Sequence, residues 1–228
     1  MFKRLPPCDN RPHVLLHMLL AAFSLFLNGI GVYLTIHANI GAGPWDVFNQ
    51  GLSHTFGIIY GNASITVSLC VLLIDVFLHE PIGIAMLIDA VVVGKTVDLF
   101  DTFKFIPVPT NIADAVLMVI AGLFIIGSTQ CLYMQAALGC GPRDTLLVGL
   151  KKRTDKIPIS VISMITLVIV TISGYLLGGK IGIGTPIVAF CAGPIMEFCF
   201  RLVHFDATQV RHQHITTTLH ILISGKNK

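Results

Sequence analysis

The twelve residues Gly41 to Leu52 (GAGPWDVFNQGL) recur as Gly139 to Leu150 (GCGPRDTLLVGL), with six of the twelve positions identical at an offset of 98. A second block, Ile82-Gly83-Ile84, returns as Ile181-Gly182-Ile183 at an offset of 99, followed in step by Ala90 with Ala189, Gly94 with Gly193 and Asp98 with Glu197. Carrying the first offset backwards sets Gly29 on Gly127. The chain is a tandem duplication, so each half must fold into nearly the same unit.

Each unit reads as a hydrophobic stretch, the glycine-rich motif, and two further stretches. Hydrophobic residues make up 54% of the 228 and charged residues 12%, about half the charged share of a soluble domain. A bilayer core about 30 Å thick needs roughly 20 mostly apolar residues per helix. Val14 to Ile36, Ile58 to Leu78, Ile112 to Leu138 and Ile159 to Leu177 meet that need. Ile82 to about Phe103 and Ile181 to about Val203 are weaker spans, carrying Asp89, Lys95, Asp98 and Asp101 in one and Glu197 and Arg201 in the other. The first stretch is too long for a signal-peptide core, and its repeat partner lies mid-chain, so it reads as a retained helix.

Three spans per half turn the second half upside down relative to the first. With the N-terminus cytoplasmic, twelve of the fifteen lysines and arginines fall on cytoplasmic segments; only Lys95, Lys104 and Lys180 fall outside. This is the expected positive-inside bias. The expectation is an all-α polytopic protein of the cytoplasmic (inner) membrane with six transmembrane helices in two inverted three-helix repeats and short elbow helices. Residues 1–13 form a cytoplasmic N-terminal segment, 14–105 the first repeat, 106–204 the second and 205–228 a polar cytoplasmic tail.

In each motif the glycines permit a sharp change of chain direction, and Pro44 or Pro142 suits a first helical position. Asp46 or Asp144 then occupies the first turn, where free N–H groups favour a carboxylate. Gly41, Gly43, Pro44 and Asp46, and Gly139, Gly141, Pro142 and Asp144, therefore mark two elbow helices, the first over Pro44 to His54. A capped elbow explains every residue type in the motif, and a ligand role is the lesser alternative. Trp45 is exchanged for Arg143 in the second copy, as suits an outer and a cytoplasmic interface respectively.

Charges within spans normally face a partner or a wet cavity. Lys95 with Asp98, and Glu197 with Arg201, sit at pairing distance on their own helices. Asp89 has no base at helical spacing and no acidic repeat partner, Val188 taking that place, so it is the candidate proton or cation site. Asp75 reads as structural, reaching the headgroups beside His79. Asn28, Gln130 and Gln135 are candidates to line a cavity, with interhelical hydrogen bonding the equal alternative. Gly94, Gly193 and Pro194 mark points where the third helix of each half can bend. Cys8, Cys70, Cys131, Cys140, Cys191 and Cys199 show no metal or disulfide spacing and read as small core residues. No metal site is expected among the tail histidines His204, His212, His214 and His220.

The doubled Gly-x-Gly-Pro-x-Asp-x-x-x-x-Gly-Leu run, each copy followed about 40 residues later by Gly83-Ile84-Ala85 or Gly182-Ile183-Gly184, resembles the YczE family of bacterial integral membrane proteins, distantly similar to YitT proteins. The match runs from about Val14 to Val203. It implies a bacterial cytoplasmic membrane location and a multi-span helical fold, and no substrate. Ala85 departs from the second glycine of that block.

Inverted repeats interrupted by glycine or proline at matching positions are a recurring plan of secondary transporters. A carrier of a small molecule or ion is the leading expectation, with an accessory or scaffold subunit of a membrane complex as the alternative. No cofactor is implied, and no Ser–His, Cys–His, HExxH or phosphate-loop constellation points to an enzyme. The Lys151 to Lys156 cluster suits anionic lipid, making the bilayer the expected partner and nucleic acid none.

Overall fold

A computed structural model describes residues 10–154, 156–205, 210 and 213–225. Lys3, Arg4, Cys8, Arg211, His212, Lys226 and Lys228 lie outside the described residues. These contain nine helices and no sheet: α1 (Arg11–His37), α2 (Pro44–Phe56), α3 (Tyr60–Phe77), α4 (Ile84–Phe103), α5 (Ile112–Gln135), α6 (Pro142–Arg153), α7 (Ile159–Leu176), α8 (Gly184–Leu202) and α9 (Ile215–Ser224). Prolines open α2 and α6 where no backbone N–H needs a partner, and Gly57 ends α2 in the left-handed conformation. Helices α1 to α4 thus match α5 to α8 element for element.

Five helices, α1, α3, α5, α7 and α8, are long and apolar enough to cross a membrane. Helix α4 has 20 residues but carries Asp89, Lys95, Asp98 and Asp101, which sets it apart from those five.

Helices α1 and α5 form the central pair. Asn28 meets Thr129, Gly31 meets Ile126 and Gly122, and Thr35 meets Gly122, so contacts on α5 recede as α1 advances and the two run antiparallel. The absent side chains of Gly31 and Gly122 let the backbones approach. Helix α4 packs on α1 and α8 on α5.

The two halves exchange matched contacts. The Ile40 carbonyl accepts from the Gly184 N–H at 2.7 Å, and the Leu138 carbonyl accepts from the Ala85 N–H at 3.1 Å; these are the same bond at the two repeat positions. Gly41 packs on Gly182 and Gly139 on Gly83 in the same way. Thr55 Oγ1 donates to the Leu177 carbonyl at 2.8 Å, and Arg153 Nη2 to the Leu78 carbonyl at 2.7 Å. Each glycine-rich loop is therefore held by the opposite half. Gly41 and Gly139, with φ of 106° and 124°, need the freedom that glycine alone provides.

One difference breaks the match: α3 packs along α4, whereas α7 packs mainly on α2 and leaves α8 apart. Ile169, Leu176 and Phe190 are accordingly exposed.

Four expectations need correction. The segment after Phe205 is not simply a polar tail, because Ile215, Ile221 and Leu222 give α9 an apolar face that docks on α1. Ile221 and Thr218 are fully buried, and the Gln213 and Ile215 N–H groups donate to Ala137 and Ile82. Helix α4 is not interrupted at Gly94, which brings it against Gly61 of α3. Helix α8 likewise runs continuously past Gly193 and Pro194. Cys70 is exposed and not in the core, while Cys131 and Cys199 are buried.

Candidate functional site

The first turns of the two elbow helices meet. Trp45 and Arg143, equivalent positions of the two motifs, stack with the guanidinium carbon 4.9 Å from the indole centroid. Trp45 also packs against Val67 and Val71 of α3 and Leu146 of α6, with Phe48 and Leu52. The cation–π contact joins the halves, and it replaces the expectation that these two residues lie at opposite membrane interfaces. Motif residues of α2 and α6 come together because each elbow turns back toward the centre.

Three carboxylates lie within electrostatic reach of the guanidinium, none of them in a contact ion pair with it among the described residues. Asp46 Oδ1 accepts from the Tyr60 hydroxyl at 2.9 Å, and the same hydroxyl accepts from Asn49 Nδ2 at 3.3 Å. Asp144 Oδ2 accepts from Gln130 Nε2 at 3.4 Å. Asp89 reaches across from α4: its Oδ2 and that of Asp144 stand 3.2 and 3.7 Å from the point a Gly141 Cβ would occupy. Arg143 interacts electrostatically with Asp46, Asp89 and Asp144, so the cation acting on Asp89 belongs to the second motif and not to its own helix. The buried Tyr133 hydroxyl, without a hydrogen bond among the described residues, faces the same group. Asp46, Asp89 and Arg143 are half-buried and Asp144 is exposed.

The glycines of the motif contribute by being small. Gly43 lies beside Val188 and Gly141 beside Asp89, which are equivalent positions of α8 and α4. The duplicated scaffold thus offers one apolar and one acidic version of the same contact, and only the acidic one is charged.

A cavity of about 340 Å³ lies at the other end of Tyr60, lined by Tyr33, His37, Asn39, Tyr60, Asp101 and Lys180 among others. A second of about 460 Å³ shares His37, Asn39 and Asp101 and adds Lys104. Lys180 Nζ donates to Asn39 Oδ1 at 3.2 Å. Tyr60 borders the first cavity and bonds Asp46, and so connects it to the charged centre.

Asn28, Gln130 and Gln135 do not line this cavity. Asn28 Nδ2 donates to Thr129 Oγ1 at 3.2 Å between α1 and α5, and Gln135 Nε2 contacts Cys131 Sγ at 3.5 Å; only Gln130 touches the acidic group. Asp98 accepts from the Gly61 N–H at 2.7 Å and lies 3.9 Å from Lys95. Glu197 and Arg201 pair at 2.6 Å on an exposed face. An exposed pair contributes little, so Glu197→Gln is expected to change stability by less than about 1 kcal/mol, measured by thermal unfolding in detergent. Asp75 does not reach headgroups: it is fully buried.

A protein-family model described as a family of unknown function (DUF6198) matches residues 15–201. The uncharacterized membrane protein YczE of Bacillus subtilis is 30% identical over 176 residues, covering 76% of this chain and 80% of that one. The chain belongs to the YczE-like family of membrane proteins. An uncharacterized protein of Haemophilus influenzae is 29% identical over 181 residues, covering 79% of this chain and 82% of the relative. The uncharacterized protein YyaS of Bacillus subtilis is 28% identical over 191 residues, covering 79% and 92%. No solved structure matches the chain. The matched span of a YczE-like protein runs from α1 through α8 and leaves α9 outside it.

Proposed function

We propose that this protein is a carrier of a small polar molecule or ion in the cytoplasmic membrane, built as six spans in two inverted repeats. The observation that supports it most is the meeting of the two elbow helices over Arg143, Asp46, Asp89 and Asp144. Broken helices whose first turns converge on charged groups, in halves that exchange equivalent contacts, suit a site that alternates between two faces.

The connections sort into two ends. Arg11, the turn after α3, the loop before α6 and α9 gather at one, through bonds of Gly225, Ile82 and Ala137; the loop after α1, the end of α2 and the turn after α7 gather at the other. The first end carries Lys151, Lys152 and Arg153, which supports a cytoplasmic placement, and the second carries Lys104 and Lys180. The cavity beside Lys180 then opens outward. Single cysteines at Lys104 and Arg153 are expected to label from opposite sides of the membrane.

Asp89 is the central group of this reading. Three carboxylates against one guanidinium leave excess negative charge that a cation or protons must neutralise. Solid-supported membranes bearing the protein are challenged in turn with alkali cations, single amino acids and small organic cations. One class is expected to give a transient current that Asp89→Asn reduces to background. A current unaffected by that change, or none with any probe, sinks the reading.

A further inference from the structure

The end of α3 holds a carboxylate that the central site does not use. Asp75 is 0% exposed, and neither oxygen has a hydrogen bond among the described residues. The Glu80 N–H donates to the Asp75 carbonyl at 3.0 Å, which folds the chain back after α3 and brings Glu80 beside it. The Glu80 side chain, 4% exposed, meets Lys152 Nζ of α6 at 2.6 Å. Arg153 Nη2 holds the Leu78 carbonyl at 2.7 Å, and Gly149 lies against Leu78 and Glu80. The last turns of α6 thus form a latch on the end of α3. The equivalent latch of the other half, Thr55 on Leu177 with His54 beside Gly178, has no ion pair among the described residues.

The groups facing Asp75 can be named from each neighbouring element. Glu80, from the connection to α4, is the charged group that acts on Asp75, while the exposed His79 precedes it in that connection and Lys152 and Arg153 of α6 are engaged with Glu80 and the Leu78 carbonyl. Asp89, the first charge on α4, is turned toward Gly141, while Asp46 and His54 of α2 are engaged with Tyr60 and Gly178. Lys152 is already committed to Glu80. An ionised Asp75 would therefore place a second negative charge beside Glu80 with no donor, in surroundings that desolvate it, an arrangement that is costly.

We propose that Asp75 is a proton-binding site, separate from Asp89, whose bound proton keeps the α3–α6 latch closed. While Asp75 is protonated, Glu80 alone faces Lys152. When the proton passes from the carboxyl group to water, the remaining carboxylate repels Glu80 and draws water in, the Glu80–Lys152 pair is loosened, and α6 parts from α3. The proposal deepens the carrier reading, on which its meaning as a gate rests.

The test uses the full chain in lipid nanodiscs, its own six cysteines replaced and one cysteine placed at Leu146, 8% exposed between Val67 and Val71. Maleimide labelling is expressed as a ratio to that of a cysteine at Val148, 43% exposed, which cancels the pH dependence of the thiol itself. The ratio is expected to rise about tenfold between about pH 6 and about pH 9, within the usual span of coupling between sites. Asp75→Asn keeps it low at both values, and Glu80→Gln raises it at both. A ratio independent of pH in the unaltered latch, or an Asp75→Asn protein with the unaltered pH response, overturns the proposal. Should Asp75→Asn not fold, infrared difference spectra of the unaltered protein over the same interval must show loss of a protonated-carboxyl band, and absence of that band overturns it too. None of these readouts needs a substrate, so failure here leaves the Asp89 reading to its own transport test, and absence of transport leaves the proton site standing.

Discussion

Gly83→Val is expected to abolish the folded protein or to cost about 4 kcal/mol or more, the range reached only when a core arrangement is broken. A Cβ at Gly83 would overlap the Leu138 carbonyl oxygen and stand 2.5 Å from the Gly139 Cα. The obstacle is the backbone of the other half, which cannot swing aside as a flexible side chain would. The same change at Gly182 meets the Ile40 carbonyl and the Gly41 N, so it is expected to be equally severe. Gly193→Ala is the contrasting case, because nothing lies within 4 Å of its Cβ position and alanine favours a helix over glycine by up to about 1 kcal/mol. Thermal unfolding of the three variants in one detergent compares them directly. A Gly83→Val protein as stable as Gly193→Ala would show that the interlocked loops do not hold the halves together.

Arg143→Met is expected to lower stability at neutral pH by about 2 kcal/mol, less than the roughly 3–5 kcal/mol for one partner of a fully buried pair because the guanidinium is half-buried. Methionine keeps most of the contact with Trp45 but removes the only cation that faces Asp46, Asp89 and Asp144 among the described residues. Without it the folded state holds protons on these carboxylates more strongly than the unfolded chain does. Linkage then makes stability fall as pH rises, so the deficit is largest at about pH 8 and is mostly recovered at about pH 5. The unaltered protein shows this slope only weakly, because its guanidinium offsets part of the burial that already raises Asp46 and Asp144. Unfolding measured at the two pH values decides it; a deficit equal at both removes Arg143 from its role as the shared countercharge.

Much of the architecture is legible in the sequence. The expected elbow at Pro44 to His54 is α2, Pro44–Phe56, because a proline at the first helical position and glycines before it leave the backbone few alternatives. The expected span Ile159 to Leu177 is α7, Ile159–Leu176, for the plain reason that an unbroken apolar run has one stable form in hydrocarbon. The Lys95–Asp98 and Glu197–Arg201 pairs also follow from helical spacing alone.

The site was less legible. Asp89 has no base at helical spacing in the sequence, yet the cation that acts on it is Arg143, 54 positions on and on another helix. Asp75 resembled an interfacial acid because it ends a span, but Glu80 and α6 fold over it. Asn28 had two readings of equal weight, and only the position of Thr129 on α5 chose the hydrogen bond.

The sequence by itself determined the helical class, the twofold repetition and the approximate course of α1 to α8, since these depend on local composition, periodicity and the conformational limits of proline and glycine. Which charges meet was decided only by the tertiary structure. The meeting of the two elbows brings Trp45 to Arg143, the packing of α4 brings Asp89 to Gly141, and the packing of α6 on α3 sets Lys152 on Glu80 beside Asp75. Such contacts depend on how distant helices cross, a long-range property that no local spacing records.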